Sequence, residues 1–360
     1  MNGDGVILHV AGLDKFIPPF IGLVREEFKE EGHRFWLAGS LENYPISQRD
    51  DVHVCGASIF SSVRDYAKLI WQLHAARKVM LHGLFNIRVL LLLALCPWLL
   101  PKCYWVIWGG DLYQYKSAKK SWRSRVKEPL RRFVIRRLGH LVTYIEGDVE
   151  LARQWYGAKG RHHECLMYLS NVVDPSLIAE PLAKPQNDTK NILVGNSADP
   201  SNNHLEILER LLPYKDEDVK IYVPLSYGDQ VHAGKVIEQG KAWFGEKLVP
   251  LTGFMPYEKY IEFLRAIDVA VFNHRRQQAM GNTITLLGMG KTVFMRSDVS
   301  QWSFLRNLGI EVCDFEGFSP EILEQEKSKK NSSIVGSCFS KETLLKQYSE
   351  IFERRHGLSK

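Results

Sequence analysis

The sequence predicts an α/β protein of two domains in series, each with a mostly parallel sheet and helices on both of its faces. The length of 360 residues fits two domains at roughly 100–200 residues each. In both halves, short β-rich runs alternate with segments of helical periodicity, as in βαβ units. Between residues 173 and 190 the alternation stops, three prolines stand without a sustained period, and the alternation then restarts. We therefore predict a first domain at 1–173, a linker at 174–190, a second domain at 191–335, and a C-terminal segment at 336–360 whose helix returns to the first domain.

Each predicted element follows from the spacing of its apolar residues. In the first domain, β-rich runs predict strands at residues 6–11, 34–38, 52–56, 78–82, 104–108 and 141–145. Helical periodicity predicts helices at 20–30, 62–76 and 148–155, and the apolar run at 87–100 predicts a buried helix that leads into a strand. In the second domain, we predict strands at 191–195, 219–224, 247–251, 269–272 and 292–295, and helices at 204–212, 231–243, 257–265, 282–289 and 342–354.

The composition is that of an ordinary globular protein. Hydrophobic residues make up 45% and charged residues 24% of the chain, which excludes wholesale disorder, a coiled coil and collagen-like repeats. The six cysteines form neither a C-x-x-C pair nor a zinc spacing with histidine, which favours reduced thiols in a cytosolic protein and no metal site. The apolar run at 87–100 is shorter than the ~20 residues of a membrane span, and the N-terminus lacks the pattern of a signal peptide. We therefore expect a soluble or peripheral protein.

One segment carries most of the positive charge. Residues 116–137 hold ten Lys or Arg and one Glu, whereas the net charge of the whole chain is +6. Apolar residues at helical spacing between the charges predict a basic amphipathic helix that is interrupted at Pro129. A solvated or partner-binding face and a nucleic-acid site are alternatives, but no recognition motif for nucleic acid accompanies the charge. An anionic membrane surface fits best, because apolar side chains dip into it while cations meet phosphates. The predicted membrane-binding residues are Lys119, Lys120, Arg123, Arg131, Arg132, Arg136 and Arg137.

In the first domain, polar residues directly after predicted strands mark a candidate catalytic site, since ligands of open α/β sheets bind beyond the carboxyl ends of the strands. These residues occur in HVAGLD at 9–14, HGLFN at 82–86, WGGDLY at 108–113 and EGD at 146–148. Glycine lets a ligand approach the backbone closely, and a short carboxylate can act as a base or bind a hydroxyl. Ordinary turn and cap chemistry is the alternative. The candidate catalytic residues are Asp14, Asp111 and His82, in that order.

The second domain offers two candidate anion or hydroxyl sites, each at a strand-to-helix junction. Residues 195–204, GNSADPSNNH, bring small and amide side chains to a helix start. Residues 275–283, RRQQAMGNT, bring arginine and helix-start N–H groups, which suit a pyrophosphate; a helix cap with two surface arginines is the alternative. The predicted binding residues are Asn196, Ser197, Asn202, Asn203, Arg275, Gln277, Gln278, Gly281, Asn282 and Thr283. Neither a G-x-G-x-x-G motif nor a P-loop motif occurs, and no cofactor is expected.

These segments resemble a known family. The stretches at 251–272 and 285–294 resemble the donor domain of GT-B glycosyltransferases, which consist of two Rossmann-like domains facing a cleft. HVAGLD, LHGLFN, WGGDLYQ, VGNSADPSNNH and RRQQAMGN resemble the TDP-4-acetamido-4,6-dideoxygalactose transferases. That family is 4-alpha-L-fucosyltransferase-like and takes part in building enterobacterial common antigen. The resemblance extends from about residue 5 to residue 310, and VGNSADPSNNH is its most specific part.

The resemblance implies a glycosyltransferase that moves a deoxyamino sugar from a dTDP carrier to a polyprenyl-diphosphate-linked saccharide. It also implies a peripheral location on the cytoplasmic face of the bacterial inner membrane, which gives the basic segment a partner. Most retaining GT-B enzymes carry paired glutamates where this chain has Gln277, Gln278 and Thr285. The family membership therefore implies an inverting reaction, in which a base takes the proton of the acceptor hydroxyl. Asp14 is the first candidate for that base and Asp111 the second, while His82 is expected to orient the acceptor or to assist departure of the leaving group.

Two alternative functions remain compatible with the residues. A catalytically silent GT-B-like scaffold protein at the membrane would keep the basic helix but would need no carboxylate in its site. A sugar-nucleotide epimerase of the same fold would need no lipid surface, so the basic segment would have no role in it. Release of nucleoside diphosphate from a sugar nucleotide, with and without a lipid-linked acceptor, separates the three.

Overall fold

The computed structural model describes residues 5–42, 44–47, 49–55, 59–118, 122–178 and 189–353, with the side chains of 59–62 and 117–126 excepted. These residues form two compact units. Unit 1 comprises Met1–Ser170 together with Lys341–Lys360, and unit 2 comprises Asn171–Ser340. Each unit is a layered α/β structure with its own buried core. The predicted fold class of two parallel-sheet α/β domains is therefore confirmed.

The elements alternate along the chain as the sequence predicts. The strands are β1 (Ile7–Gly12), β2 (His33–Ala38), β3 (Val52–Val54), β4 (Lys78–His82), β5 (Cys103–Val106), β6 (His140–Val142), β7 (Arg161–His163), β8 (Lys190–Val194), β9 (Val219–Pro224), β10 (Leu248–Leu251), β11 (Val269–Phe272), β12 (Thr292–Met295) and β13 (Cys313–Asp314). The helices are α1 (Ile17–Glu27), α2 (Ile59–Ala75), α3 (Ile87–Leu95), α4 (Gln114–Ala118), α5 (Trp122–Ile135), α6 (Glu146–Tyr156), α7 (His204–Leu211), α8 (Gln230–Phe244), α9 (Tyr257–Arg265), α10 (Met280–Gly288), α11 (Ser300–Asn307), α12 (Gln325–Cys338) and α13 (Lys341–Phe352). The elements that the sequence analysis does not predict are short strands and helices with weak hydrophobic patterns, such as β7, β13 and α12.

Unit 1 is built on a parallel seven-stranded sheet in the order β3-β2-β1-β4-β5-β6-β7. One face of this sheet packs against α2, α3, α5 and α6 around residues such as Leu81 and Trp105. The other face is covered by α1 and by the C-terminal helix α13, since the rings of Phe20 and Phe352 both contact the ring of His9 in β1. Because both faces are buried, the central strands read as nearly continuous apolar runs.

The basic helix α5 differs from the sequence prediction in two ways. It continues through Pro129 instead of breaking there. Its buried side chains, Arg131, Val134 and Ile135, recur at helical spacing and belong to the core side of the helix. The apolar stripe of α5 therefore packs on unit 1, and this packing offsets the ~3 kcal/mol that an interior proline costs.

Unit 2 contains a parallel six-stranded sheet in the order β10-β9-β8-β11-β12-β13. Helices α7 and α8 pack on one face around Ile192, Ile221 and Val271. On the other side α10 packs against α12, and Gly288 allows a close approach because a Cβ there would lie 3.1 Å from Val335. The strand order places β8 and β11 side by side at the centre of the sheet. The loops that follow these two strands therefore emerge next to each other.

The boundaries of the units differ from the predicted ones. The chain enters unit 2 at Asn171, and Val173 already donates its N–H to Phe339 O at 2.9 Å. The first part of the predicted linker, up to Ile178, thus packs on unit 2, while residues 179–188 lie outside the described part. The helix that belongs to unit 1 begins at Lys341, because α12 occupies the start of the predicted C-terminal segment.

Candidate active site

Asp14 lies in the loop between β1 and α1, at the carboxyl end of the sheet of unit 1. Its backbone carbonyl accepts the N–H of Ile17 at 3.0 Å, which starts the helix. Its Oδ1 atom is buried and has no hydrogen-bond partner among the described residues. The neighbouring Phe16 ring lies 5.7 Å from Trp108 and 5.8 Å from Tyr168, so the Asp14 loop meets the carboxyl end of β5. A carboxylate with an unused oxygen at this edge can accept a proton or a hydrogen bond from a ligand.

Asp111, the second candidate for the base, has a structural role. It is fully buried. Its Oδ2 accepts the indole N–H of Trp105 at 2.6 Å and the backbone N–H of Leu84 at 2.9 Å, and its Oδ1 accepts the N–H groups of Trp108 and Leu112. Burial raises the pKa of this carboxyl, and the four donors oppose that rise. The carboxylate is thus committed to joining the loops after β4 and β5, which corrects the expectation that it acts as a base.

His82, which the sequence analysis expects to orient the acceptor or to assist departure of the leaving group, lies at the end of β4. It is buried, with its Nδ1 2.7 Å from the Tyr168 hydroxyl and its Nε2 3.0 Å from His9 Nδ1. Burial lowers the pKa of His82 to about 3. A neutral imidazole with both nitrogens engaged is a poor acid for a leaving group, so a direct catalytic role for His82 is not supported.

In unit 2, the loop after β8 folds around Asn202. Its Oδ1 accepts the backbone N–H of Asn196 at 2.9 Å and the Nε2–H of His274 at 2.8 Å. Its amide nitrogen donates to the Asp199 carbonyl at 2.9 Å and reaches Ser197 Oγ at 3.4 Å. Gly195 precedes this loop with φ of +70°, and a Cβ there would lie 2.8 Å from Asn202 Oδ1. The loop after β8 is therefore held in one conformation by Asn202, and glycine at 195 lets the backbone lie close to that side chain.

Gln278 ties the loop after β11 to the loop after β8. It accepts the Ser201 hydroxyl at 2.8 Å and donates to Asn196 Oδ1 at 3.2 Å. Asn203 adds a second link by donating to the Asn273 carbonyl at 2.6 Å. The two segments that the sequence analysis selected separately thus form one site, which contains Asn196, Ser197, Asn202, Asn203 and Gln278.

Helix α10 begins at this site without a capping side chain. The residue before it, Ala279, has φ of +58°, and no described side chain caps the first turn. The N–H of Thr283 bonds to Ala279 O at 2.9 Å, so this N–H group is not available to a ligand, contrary to the prediction. Those of Met280, Gly281 and Asn282 belong to the first turn, whose N–H groups have no intrahelical partner and favour an anion.

Three polar atoms near this helix start are buried and have no hydrogen-bond partner in the part of the chain that the structure describes. They are Asn273 Nδ2, His274 Nδ1 and Thr283 Oγ1. Burial lowers the pKa of His274 to about 3, so it is neutral with Nδ1 as an acceptor. Buried polar atoms are nearly always paired in folded proteins, and each exception calls for an explanation.

Three further residues of the loop after β11, Arg275, Arg276 and Gln277, make no hydrogen bond to Asn202. Arg275 is 69% exposed and pairs with Glu206 at 3.7 Å. Arg276 is more buried and pairs with Asp199 at 3.4 Å. The side chain of Gln277 makes no hydrogen bond to any other described residue that would place it in the site. Arg276 is therefore better placed than Arg275 to meet an anion at the Asp199 loop.

Only some of the seven cations predicted to bind the membrane are exposed on the surface of the described residues. Arg131 is 3% exposed and donates to the Asp111 carbonyl at 3.3 Å, so it supports the core and is not a membrane-binding residue. It lines a cavity of about 210 Å³ together with Gln114 and Glu128. Of the predicted set, the exposed cations on α5 and directly after it are Arg132, Arg136 and Arg137; Lys127 of α5 is exposed as well. Lys119 and Lys120 lie outside the described residues, as does the side chain of Arg123.

Two kinds of feature are absent from the described residues. No group of three or more metal-ligating side chains converges there. None of the helices in that part of the chain combines the length and the hydropathy needed to cross a bilayer.

Sequence reasoning missed five side chains that the structure places at these sites. His9, His33 and Tyr168 are linked to His82 in unit 1. Asn273 and His274 directly follow β11 in unit 2. The last two obey the strand-end rule that selected the other candidates, and His9 is a polar residue inside an apolar strand, so both signals were present in the sequence.

Comparison with solved structures shows the GT-B fold. HepE from Anabaena, in complex with UDP and glucose, superposes with a TM-score of 0.65 at 14% identity, over 96% of this chain and 99% of that chain. Sucrose-phosphate synthase from Thermosynechococcus elongatus gives a TM-score of 0.65 at 11% identity, over 96% and 98% of the two chains. WaaG, a glycosyltransferase involved in lipopolysaccharide biosynthesis, gives 0.61 at 10% identity, over 98% and 100%. At such identities the likeness concerns the fold alone.

A family model supplies the remaining evidence. The model of 4-alpha-L-fucosyltransferase, glycosyl transferase group 56, matches residues 48–327, well over half of the chain. The match covers unit 1 from β3 onward, which does not include the Asp14 loop, and the whole candidate site of unit 2. The chain belongs to glycosyl transferase group 56, the 4-alpha-L-fucosyltransferase family, and is a glycosyltransferase of GT-B fold.

Proposed function

We propose that this glycosyltransferase moves a deoxyamino sugar, with dTDP-4-acetamido-4,6-dideoxygalactose as the first candidate donor, to a polyprenyl-diphosphate-linked saccharide with inversion. The observation that carries the proposal is the convergence at one edge of unit 2. Two strand-end loops, an uncapped helix start and three unpaired buried polar atoms lie together there. Such an edge offers hydrogen-bonding groups to a diphosphate and a sugar.

The donor is assigned to unit 2 on its chemistry. The first N–H groups of α10 and the positive end of its dipole suit the diphosphate. Arg276 supplies a guanidinium nearby, and Asn196 and Gln278 supply amides. The solved structure of HepE with UDP and glucose shows that a protein of this fold binds a nucleotide and a sugar. The dTDP base and the deoxyamino sugar rest on the resemblance of the sequence motifs.

The acceptor is assigned to unit 1, with Asp14 as the general base. Inverting transfer requires a group that takes the acceptor proton as the hydroxyl attacks the anomeric carbon from the face opposite the leaving group. Asp14 has a carboxylate oxygen without a hydrogen-bond partner among the described residues, whereas both oxygens of Asp111 accept hydrogen bonds from the protein. Trp108 and Phe16 beside it supply apolar ring surface for a sugar.

Unit 1 also presents a surface that fits an anionic bilayer. Trp71, Leu95 and Trp98 are each more than 60% exposed on or next to α2 and α3. Helix α5 packs against α3 and exposes Arg132, and Arg136 is exposed directly after the helix. Aromatic and apolar side chains beside cations are the pattern of an interfacial binding surface. We therefore place the apolar part of the membrane contact on α2 and α3 and its charged part on α5, at the cytoplasmic face of the inner membrane.

Nucleotide release tests the function. The protein is incubated with dTDP- and UDP-sugars, with and without a polyprenyl-diphosphate-linked saccharide, and free nucleoside diphosphate is measured. We expect acceptor-dependent release of dTDP. No release under any condition would favour the silent scaffold, and interconversion of the sugar nucleotide without release would favour the epimerase.

Co-sedimentation with anionic vesicles tests the membrane surface. Charge reversal at Arg132, Arg136 and Arg137 removes three cations, each worth about 1 kcal/mol near such a surface, so binding should weaken about a hundredfold. The matched control reverses Lys220, Lys235 and Lys241, three exposed lysines of unit 2. Equal loss in both triple variants would show that net charge acts and that α5 is not the contact.

A further inference from the structure

A continuous line of hydrogen bonds crosses the sheet of unit 1 beneath α1 and α13. Its members, which we call the imidazole chain, are Trp108, Tyr168, His82, His9, His33 and Glu31. The successive donor–acceptor distances are 2.9, 2.7, 3.0, 2.9 and 3.3 Å. The line begins at the carboxyl end of β5, near Asp14, and ends before β2 at the opposite edge of the sheet.

The two ends of the chain fix the direction of every bond in it. The indole N–H of Trp108 can only donate, so the Tyr168 oxygen accepts from it; the Tyr168 hydroxyl donates to His82 Nδ1 because the order set from the Glu31 end leaves that nitrogen without a proton. The Glu31 carboxylate accepts at the other end from His33 Nε2. Burial lowers the pKa of His33 to about 4 and that of His82 to about 3, so the imidazoles are neutral and each carries one proton. Each of the three histidines must therefore hold its proton on Nε2.

The surroundings of the chain keep this arrangement in place. The ring of His9 stacks on Phe35 at 4.9 Å between centroids and meets Phe20 and Phe352 edge-on. Burial in an aromatic layer strengthens hydrogen bonds within the chain and makes an unpaired nitrogen costly. Tyr168, which is 7% exposed, therefore cannot turn its proton away from His82 without leaving an imidazole nitrogen unpaired.

We propose that Tyr168 binds a hydroxyl group of the acceptor saccharide, that the imidazole chain holds the Tyr168 oxygen as a hydrogen-bond acceptor toward that hydroxyl, and that His82, His9 and His33 are positioning residues. The proposal rests on the proposed function, because it specifies how unit 1 recognises the acceptor saccharide. It also assigns His82 an indirect role, through Tyr168, in place of contact with the substrate.

The chemistry of the ligand follows from the two groups at this edge. The Asp14 carboxylate is an acceptor, and the chain makes the remaining lone pair of Tyr168 an acceptor as well. Both groups stand beside Trp108 and Phe16, whose rings contact Tyr168. A ligand that pairs both acceptors must present two O–H donors next to an apolar ring face. Neighbouring hydroxyl groups of a sugar have this arrangement. A ligand with only acceptors at these positions would be rejected, because two unpaired acceptors would face each other.

The direction of the chain can be tested without any substrate. Imidazole nitrogen NMR of the full chain at neutral pH should show the proton on Nε2 of His9, His33 and His82. A proton on Nδ1 of His82 would overturn the proposal, whatever the enzyme transfers. Failure of the proposed function, by contrast, would leave these tautomers as expected.

The binding role is tested by Tyr168→Phe, which keeps the ring and removes the oxygen. We expect the KM for the lipid-linked saccharide to rise about tenfold, the effect of one lost hydrogen bond, with dTDP affinity unchanged. Tyr104→Phe is the matched control, since Tyr104 is also 7% exposed but stacks on His140 away from the chain. An unchanged KM in Tyr168→Phe, or an equal rise in the control, would overturn the binding role.

The positioning role is tested by two substitutions of His9. His9→Phe suits the aromatic layer but breaks the chain, whereas His9→Gln packs less well and can still accept at its oxygen and donate from its nitrogen. A positioning role predicts a higher acceptor KM in His9→Phe than in His9→Gln, with equal dTDP affinity in the two variants when both are fully folded. If acceptor KM simply follows stability in the two variants, the chain has only a structural role and the proposal fails.

Discussion

The two sheets present opposite kinds of polar chemistry at comparable places. In unit 1, three buried histidines are joined end to end between Tyr168 and Glu31, and both nitrogens of each ring are paired. In unit 2, His274 pairs one nitrogen with Asn202 and leaves Nδ1 without a partner in the described chain, as do Asn273 Nδ2 and Thr283 Oγ1. Both edges are buried to a similar degree, so exposure to water does not explain the difference.

The difference indicates how each unit handles its ligand. A buried polar atom left unpaired costs about 1–3 kcal/mol, so the edge of unit 2 carries a cost that a ligand with matching donors and acceptors relieves. The edge of unit 1 carries no such cost along the imidazole chain; there the protein fixes the polarity of one hydroxyl in advance. Unit 2 is suited to draw affinity from a polar ligand, while unit 1 is suited to orient a hydroxyl for reaction.

The largest effect is expected from Asp14→Asn, which should change turnover, assigned to unit 1, without changing donor binding, assigned to unit 2. Asp14→Asn removes the proposed base while keeping shape and the ability to hydrogen-bond, so turnover should fall about 10²–10⁴-fold, the usual contribution of a general base. Binding of dTDP, measured by calorimetry, should stay at the wild-type level because Asp14 belongs to unit 1. Near-normal turnover in this variant would remove Asp14 as the base.

Asp111→Asn provides the contrast within unit 1. The new amide group would face N–H donors that now bond to the carboxylate, including those of Leu84 and Trp105. We expect a lower free energy of unfolding, read from denaturant melts, with activity lost in proportion to the folded fraction. A fully folded but inactive Asp111→Asn protein would restore Asp111 as a catalytic candidate.

The next effect concerns the edge of unit 2. Asn202→Ala removes the acceptor of both the Asn196 N–H and the His274 Nε2–H, which should loosen the loop after β8. Losing one or two such bonds corresponds to about a ten- to hundredfold weaker dTDP affinity. Asn191→Ala is the control, because Asn191 lies on β8, the strand that leads into the Asn202 loop, and donates to Ala266 O at 2.8 Å. Equal affinity loss in both variants would mean that Asn202 acts through general stability.

Much of the fold could be predicted because its signals are local. The ranges predicted for β4, β9, α9, β11 and β12 coincide with the structure, since each is a short apolar run or a regular period bounded by polar residues. The path of α5 through Pro129 could not be predicted, because it depends on burial of Arg131 and Ile135 against other helices. Tertiary packing there overrides the local cost of proline.

The sequence predicts where the site candidates lie along the strands, but not which hydrogen-bond partners each of them has. The strand-end rule selected Asp14, Asp111 and His82 alike, because each follows a strand. Only the three-dimensional partners distinguish them: Asp111 is fully engaged, His82 is part of a chain, and Asp14 keeps a buried oxygen unpaired. The imidazole chain itself was not predictable, since its members are separated by up to 137 residues, from Glu31 to Tyr168.

The last prediction compares the units under acid. Burial depresses the pKa of His9, His33, His82 and His163 in unit 1, whereas unit 2 has two such histidines, His204 and His274. The unfolded chain takes up protons near the ordinary value of 6.5, and the folded rings do so only near 4 or below. Stability is therefore complete above about pH 6.5 and falls as the pH drops below it, by up to about 1.4 kcal/mol per pH unit for each such histidine.

Unit 1 should consequently unfold before unit 2 as the pH is lowered from 7 to 5. Denaturant melts followed by tryptophan fluorescence report chiefly on unit 1, which holds seven of the nine tryptophans. His9→Phe removes one depressed histidine and should reduce the pH slope of this transition by about 1.4 kcal/mol per pH unit. His74→Gln, at an exposed position on α2, is the matched control. A slope that His9→Phe leaves unchanged would mean that acid sensitivity arises elsewhere, and the contrast between the units would then rest on their hydrogen bonds alone.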